Sequence, residues 1–334
     1  MKWRMLGGVV LVLAAAWSGW WWVGAEARRA GLEGWLAERR AEGWQAEARA
    51  VSVGGFPNRL DARVEGLALA DPEAGWAWEA PFLDILSLSY APDRAVLALP
   101  PEQVVAVPGA RATVRSDALR ASVRFAPGTA LPLARFSTET QALAVESADW
   151  RLTSGPAQLH VQASDPAAGP ANGYDIFLSA ANVAPPAEAL RKAGGLPAAA
   201  SLVTLDARAA FDRPLDRFAV EDAPPQIVAL SIKAAEARWG DLELRAQGSL
   251  RADARGFAEG EIALKATNWR AMLRAAAQSG AMERGLAQAV EAGLSLVAAL
   301  SGGGETLEVP VSFSGGAARI GPVPVGRAPR LRRE

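Results

Sequence analysis

The feature that most constrains this chain is the run at residues 5–25, MLGGVVLVLAAAWSGWWWVGA, which holds no charged residue. At a helical rise it spans about 30 Å, the thickness of a bilayer's hydrocarbon core. Lys2 and Arg4 precede it. The positive-inside preference then predicts a cytoplasmic amino terminus, with everything after Ala25 on the far side. Trp17, Trp20, Trp21 and Trp22 crowd the far end of the run, where indole rings favour the headgroup layer. A cleaved signal peptide is the rival reading, because Ala25-Glu26-Ala27 fits a small-x-small cleavage pattern. Against it, the run is longer than a usual signal core, and tryptophans stand where small residues should precede a cut. The expectation is a retained inner-membrane anchor over residues 1–25, single-pass, carrying a periplasmic domain.

Composition narrows what that domain can do. The 334 residues include no cysteine, so disulfides, thiol chemistry and a lipid-modified cysteine anchor are excluded. One histidine, His160, leaves little room for imidazole-built metal sites or histidine-activated nucleophiles. With 35 basic against 36 acidic residues, no net field favours nucleic acid. Half the residues are hydrophobic, enough for a sizeable core.

Beyond the anchor, residues 26–44 read as an amphipathic membrane-proximal helix. Leu32, Trp35 and Leu36 share one face, while arginines and glutamates occupy the others. That stripe can pack against the following sheet, or lie on anionic headgroups with Trp35 at the interface. After Trp44 the apolar period becomes two, giving a first β-rich half over residues 45–184. Leu60, Ala62 and Val64 alternate with charged residues, and Gly66 marks a bulge before Leu67 and Leu69. Further strands are expected at 76–78, 83–89, 95–99, 104–107, 119–125, 143–152, 159–163 and 176–180. A helical crossover over residues 185–200 holds a short helix at 187–192, closed by Gly194-Gly195. The second β-rich half, 201–334, carries strands at 202–211, 227–232, 242–246, 250–254 and 258–266. Asn268 is the expected cap of a helix at 269–278, and a second helix follows at 282–300. Met282, Leu286, Val290, Leu294 and Val297 form its core stripe. Gly302-Gly303-Gly304 then breaks the chain. Leu307, Val309, Val311 and Phe313 alternate, answered by Ala318, Ile320 and Val323. Three stretches ending at Trp78, Trp150 and Trp239 hint at recurring hairpins with an indole at one structural place. The predicted class is mainly β (α+β): a transmembrane helix, a large curved antiparallel sheet and a C-terminal helical pair.

No catalytic constellation emerges. The chain has no G-x-S-x-G elbow, and Gly302-Gly303-Gly304 follows a helix, the wrong context for holding phosphate. His160 alternates with Leu159 and Val161, which puts it on the wet face of a strand. Asp71, Glu73 and Glu79 lie near Trp76 and Trp78, but turn acids beside core indoles are commoner than sugar sites. Arg327, Arg330, Arg332 and Arg333 read as a solvated tail or a contact for anionic lipid.

Four segments carry a family likeness: GWWWVGAEARRAGLEGWLAERRAEGW, VSVGGFPNRLDARVEGLALADPEAGWAWEAPF, TNWRAML and VPVSFSGGAARIGPVPVGRAPRL. Together they resemble the domain of unknown function 2125 family, membrane-anchored proteins found mainly in alphaproteobacteria. Its most specific parts here hold Gly55, Phe56, Pro57, Arg59, Trp76, Trp78, Pro81 and Phe82, with Asn268 and Trp269 later. The resemblance carries over no catalytic residue, and no metal or cofactor is expected. The layout is also similar to AsmA-like envelope proteins, whose curved sheets are thought to shelter lipid chains. The expectation is a non-enzymatic periplasmic protein that binds or guides lipid in envelope maintenance, with membrane lipid and other envelope proteins as partners. The alternative is an envelope scaffold with a closed core.

Overall fold

The computed structural model describes every residue except 1, 166, 168, 194, 195, 222, 223, 281, 301–303, 322, 333 and 334. The expected breaks at Gly194-Gly195 and Gly302-Gly303, and Arg333 of the basic tail, lie outside the described residues. So do the side chains of Lys2, Arg4 and Val297. The chain forms two compact units, residues 1–125 with 145–148, and residues 126–144 with 149–334.

In the first unit α1 (Lys2–Ala41) is one unbroken helix, about 60 Å long. It stops where Gly43 takes φ +94° and the Trp44 N–H bonds the Arg39 carbonyl at 3.0 Å. The strands are β1 (Gln45–Glu47), β2 (Ala50–Gly54), β3 (Asp61–Asp71), β4 (Trp76–Leu88), β5 (Ala91–Ala98), β6 (Glu102–Val107), β7 (Ala110–Asp117) and β8 (Arg120–Phe125). β3 pairs antiparallel with β1, β2 and β4. The stripe on α1 packs on this sheet: Leu36, Ala46, Val64, Leu67 and Leu69 are buried together, with Leu32, Trp35, Trp44, Trp76 and Trp78 around them. Trp44 meets Trp35 and Trp76 edge-on at 6.5 and 5.2 Å. The buried Arg39 guanidinium lies 5.8 and 5.7 Å from the Trp35 and Trp44 rings, and pairs with Glu42 at 2.5 Å.

Gly66 is a kink without an inserted residue. Its φ is +58°, and its register place opposite Pro81 separates the pairs Glu65–Phe82 and Leu67–Ala80 without a shift. The buried positions of β3 change there from Ala62 and Val64 to Leu67 and Leu69. A residue free to take positive φ faces one that has no N–H to give, so both strands rephase together.

The second unit holds β9 (Leu133–Thr140), β10 (Ala142–Ser147, whose last residues belong to the first unit), β11 (Arg151–Ser154), β12 (Ala157–Ala163), β13 (Gly173–Val183), β14 (Ala200–Phe211), β15 (Ile227–Trp239), β16 (Leu242–Ala252), β17 (Ala258–Thr267), β18 (Thr306–Ser314), β19 (Ala317–Ile320) and β20 (Val323–Arg327). Its helices are α2 (Ala187–Ala193), α3 (Phe218–Glu221), α4 (Trp269–Ser279) and α5 (Arg284–Leu300). β9 pairs with β12, and from β12 to β20 each strand pairs antiparallel with the next. α2 thus joins neighbouring strands, since β13 and β14 pair from Gly173–Ala210 to Val183–Ala200. The division between compact units falls nearer Phe125 than the 185–200 crossover.

Several expected strands have different bounds. The pieces at 76–78 and 83–89 are one strand, β4, as are 242–246 and 250–254 in β16. The 143–152 stretch divides into β10 and β11. β7 and β9 lie outside the expected strands: ARATVRSD alternates Ala110, Ala112 and Val114 with Arg111, Thr113 and Arg115, whereas LARFSTET has no apolar period and pairs with β12. The indoles do not share one structural place, because Trp78 lies inside β4, Trp150 just before β11 and Trp239 at the end of β15.

α4 and α5 cover one end of the apolar face. Trp269, Val290, Leu294, Ala298, Leu307 and Val309 are buried there, with Leu273, Leu286, Ile320 and Val323 against them. Leu286, Val290 and Leu294 of the predicted stripe are therefore core, whereas Met282 precedes α5, which begins at Arg284. Replacing Leu294 by Ala should lower stability by about 2–5 kcal/mol, while Leu244→Ala, at 38% exposure, should cost less than about 1 kcal/mol. Thermal melts of the full chain in detergent, followed by near-UV circular dichroism, check the contrast.

Candidate functional site

Two places combine sequence motifs with surfaces that packing leaves unexplained. The first is the loop after β2. Gly55 has φ +100°, and a Cβ there would meet the Arg59 Cβ at 2.7 Å, so the tight turn excludes other residues. The loop lies along α1. The Trp17 indole N–H donates to the Pro57 carbonyl at 2.8 Å, and that of Trp21 to the Arg59 carbonyl at 2.6 Å. The Phe56 ring stands edge-on to Trp21 at 5.5 Å. Arg28, one turn past the charge-free run, donates to Ser87 Oγ at 2.8 Å. Trp20 and Trp22 stay exposed. α1 from Leu6 onward is long and apolar enough to cross a membrane.

The other motif residues serve packing. Trp35, expected at the interface, lies in the Trp44–Arg39 cluster. Trp76 and Trp78 flank the same core, and the Trp78 N–H donates to the buried Gln103 Oε1 at 2.7 Å. Arg63 covers the Phe82 ring at 4.4 Å. The acids near these indoles are committed elsewhere: Asp71 Oδ1 accepts the Glu73 and Ala74 N–H groups of its turn, and Glu79 pairs with Arg111 at 3.0 Å. Asn268 corrects an expectation. It precedes α4 but makes no side-chain cap; in its left-handed conformation (φ 58°, ψ 38°) its Nδ2 donates instead to the Asp241 carbonyl at 2.7 Å. Trp269 is buried, with the Arg270 guanidinium 4.3 Å from its ring.

The second place is the two-faced sheet of the second unit. Registered partners share a face. Leu159 opposes Leu178, which opposes Leu205; Val161 opposes Ile176, which opposes Ala207. The apolar phase continues through Leu205–Ala235, Ala237–Leu244, Ala246–Leu264 and Leu264–Val309. α4 packs on β16 and on α2, α5 packs on β20, and together they bury Leu307 and Val309 of β18. At the far end Tyr174 and Phe211 close the face, their rings 5.8 Å apart, and the Tyr174 oxygen accepts the Leu215 N–H at 3.0 Å. Between these covers Leu159, Val161, Ile176, Leu178, Val203 and Leu205 remain half-buried.

The opposite face is polar. His160 lies there, stacked on its partner Phe177 at 6.2 Å and 3.3 Å from Gln158 Oε1. Asp175 is its electrostatic centre. It accepts from Arg208 Nε at 3.0 Å, Lys233 Nζ at 2.9 Å and Ser164 Oγ at 3.0 Å. The Arg208 hydrogen bond, then those of Lys233 and Ser164, hold its carboxyl down to about 2 against the desolvation that would raise it. Among the described residues no group of three or more His, Asp or Glu is placed to hold a metal. Two clefts beside α4 share Arg274 and Gln278 in their walls; Trp239 and Asp241 line one, Arg284 and Glu291 the other.

Residues 21–329 match the family described as uncharacterized protein conserved in bacteria, DUF2125. The chain belongs to that family. No curated protein and no solved structure matches it. The DUF2125 match takes in Trp21, the Phe56 loop, both helix-on-sheet cores and the two-faced sheet; the AsmA-like likeness has no counterpart among these comparisons.

Sequence patterning located the loop and the apolar helix, but gave no sign that Trp17 and Trp21 serve as hydrogen-bond donors to the loop. Nor did it single out Asp175, whose partners lie 33 and 58 positions away. Because the Asp175 pKa is lower folded than unfolded, its stabilising effect is complete above the ordinary carboxyl range and is lost as pH falls toward about 2. Asp175→Asn should therefore cost about 1 kcal/mol or less at neutral pH, since the cluster is partly solvated. The gap between the two proteins should close between about pH 4 and 2, which melts across that range check.

Proposed function

We propose that this chain is a membrane-tethered, non-enzymatic protein of the bacterial envelope that holds or guides lipid acyl chains. The observation carrying this reading is the strip of half-buried aliphatic side chains on β12–β14, left open between the α4–α5 cover and the Tyr174–Phe211 end. A soluble domain gains by burying such a strip, and a tether keeps it beside a supply of apolar chains. Lys2 and Arg4 before the span support a cytoplasmic amino terminus in the inner membrane, with the sheet in the periplasm. A reporter fused after Glu334 tests that topology: activity of a periplasmic reporter is expected, and activity of a cytoplasmic one overturns it.

The ligand is tested by placing the photocrosslinker benzoylphenylalanine at Leu178 or Leu205 in full-length protein, in cells grown with radioactive phosphate. Irradiation should attach labelled phospholipid at these positions and not at Ser179 or Thr204 on the polar face. Crosslinks to other proteins at Leu178 and Leu205, without lipid, would favour the scaffold reading. Absence of any crosslink would sink the lipid reading.

A further inference from the structure

We infer that the loop of residues 54–60 is a second membrane contact, entering the leaflet on the domain's side against α1 with Phe56 as its apolar wedge. This rests on reading residues 5–25 as a bilayer span.

The contacts between loop and helix form a ladder that runs back into the charge-free segment. Arg28 meets Ser87, a Cβ on Gly24 would touch Leu60 at 3.6 Å, Trp21 meets Phe56 and the Arg59 carbonyl, and Trp17 meets the Pro57 carbonyl. From Ala25 back to Trp17 is eight residues, about 12 Å along the axis. Were Pro57 in water, the run would keep only residues 5–16 for hydrocarbon, about 18 Å against the roughly 30 Å required. Entry of the loop removes that mismatch. Phe56, level with Trp21, would then lie about 6 Å inside the boundary, the depth reached by interfacial apolar groups.

The loop's backbone is prepared for a dry setting. The Gly55 carbonyl accepts the Arg59 N–H at 2.9 Å, that of Asn58 the Ser89 N–H at 3.0 Å, and those of Pro57 and Arg59 the two indoles. A turn in water needs no indole donors, whereas one in lipid must satisfy its carbonyls within the protein. Phe56 nevertheless stays 54% exposed, and Tyr90, next to Ser89, is 66% exposed. Arg59 pairs with Asp61 at 2.7 Å, and its long stem lets the charged end reach the headgroups.

The chain has no cysteine, so a single introduced thiol reports one position. Full-length protein carrying Phe56→Cys, labelled with the fluorophore NBD, is reconstituted into phosphatidylethanolamine–phosphatidylglycerol vesicles. Nitroxide is placed near the lipid carbonyls or near the acyl ends. The label at 56 should be quenched best by the shallow nitroxide, several-fold more than a label at Ala74→Cys in the turn at the opposite end of β3. A Leu11→Cys label should respond best to the deep nitroxide. Asn58→Cys provides the same reading should Phe56→Cys fail to fold. If the loop label behaves as the Ala74 label does while Leu11 is quenched, the loop lies outside the bilayer: the proposal falls and the anchor stands. Shielding of the loop label from aqueous iodide without lipid quenching means a protein contact, which also overturns it. If the Leu11 label is not quenched either, the anchor reading fails and the proposal with it.

Discussion

Alternation along each strand, kept in phase from one strand to the next, is the constraint on which the second unit depends. Because side chains change sides at every residue, apolar positions in successive strands form a continuous face only if every register agrees. The pairs from Leu159–Leu178 to Leu264–Val309 do agree. The polar side enforces the same register. A slip of one residue would carry Asp175, Arg208 and Lys233 to the apolar face, where each would lose its partners and much of its hydration. Ion pairs of this exposed kind add little stability, and their value here is in excluding alternatives.

In the first unit the corresponding organiser is α1. One continuous helix carries two chemistries in succession: a charge-free segment that the domain's own loop grips through two indole N–H groups, and a C-terminal stripe buried against β1–β4. Burying Leu36 and stacking Trp35, Arg39, Trp44 and Trp76 hold the end of the helix to the sheet at a defined angle. No flexible linker separates the apolar segment from the folded first unit, so the two share one orientation.

Much of this was legible in order of residues. Leu32, Trp35 and Leu36 on one helical face, the strict alternation of Leu307 to Phe313, and the spacing of Leu286, Val290 and Leu294 all mark buried faces that the structure contains. Where the pattern was weak, it failed for physical reasons. LARFSTET in β9 has no apolar period of its own and becomes a strand because β12 offers a partner edge. Asn268 has the composition of a cap, yet its left-handed backbone turns the amide toward Asp241. Gly66 suggested an insertion in one strand; Pro81 opposite makes it a kink shared by two.

Local chemistry along the chain thus determined the apolar opening helix, the two-residue period, and the lack of thiols and scarcity of imidazoles that narrow the chemistry open to the protein, because these depend on residue type and near neighbours alone. Only the tertiary structure decided which of the apolar faces is filled and which stays half-buried, and that Trp21 and Trp17 of the apolar helix bond carbonyls 38 and 40 positions on. Coverage and long-range hydrogen bonds depend on where distant segments return in space, and residue spacing carries no measure of that.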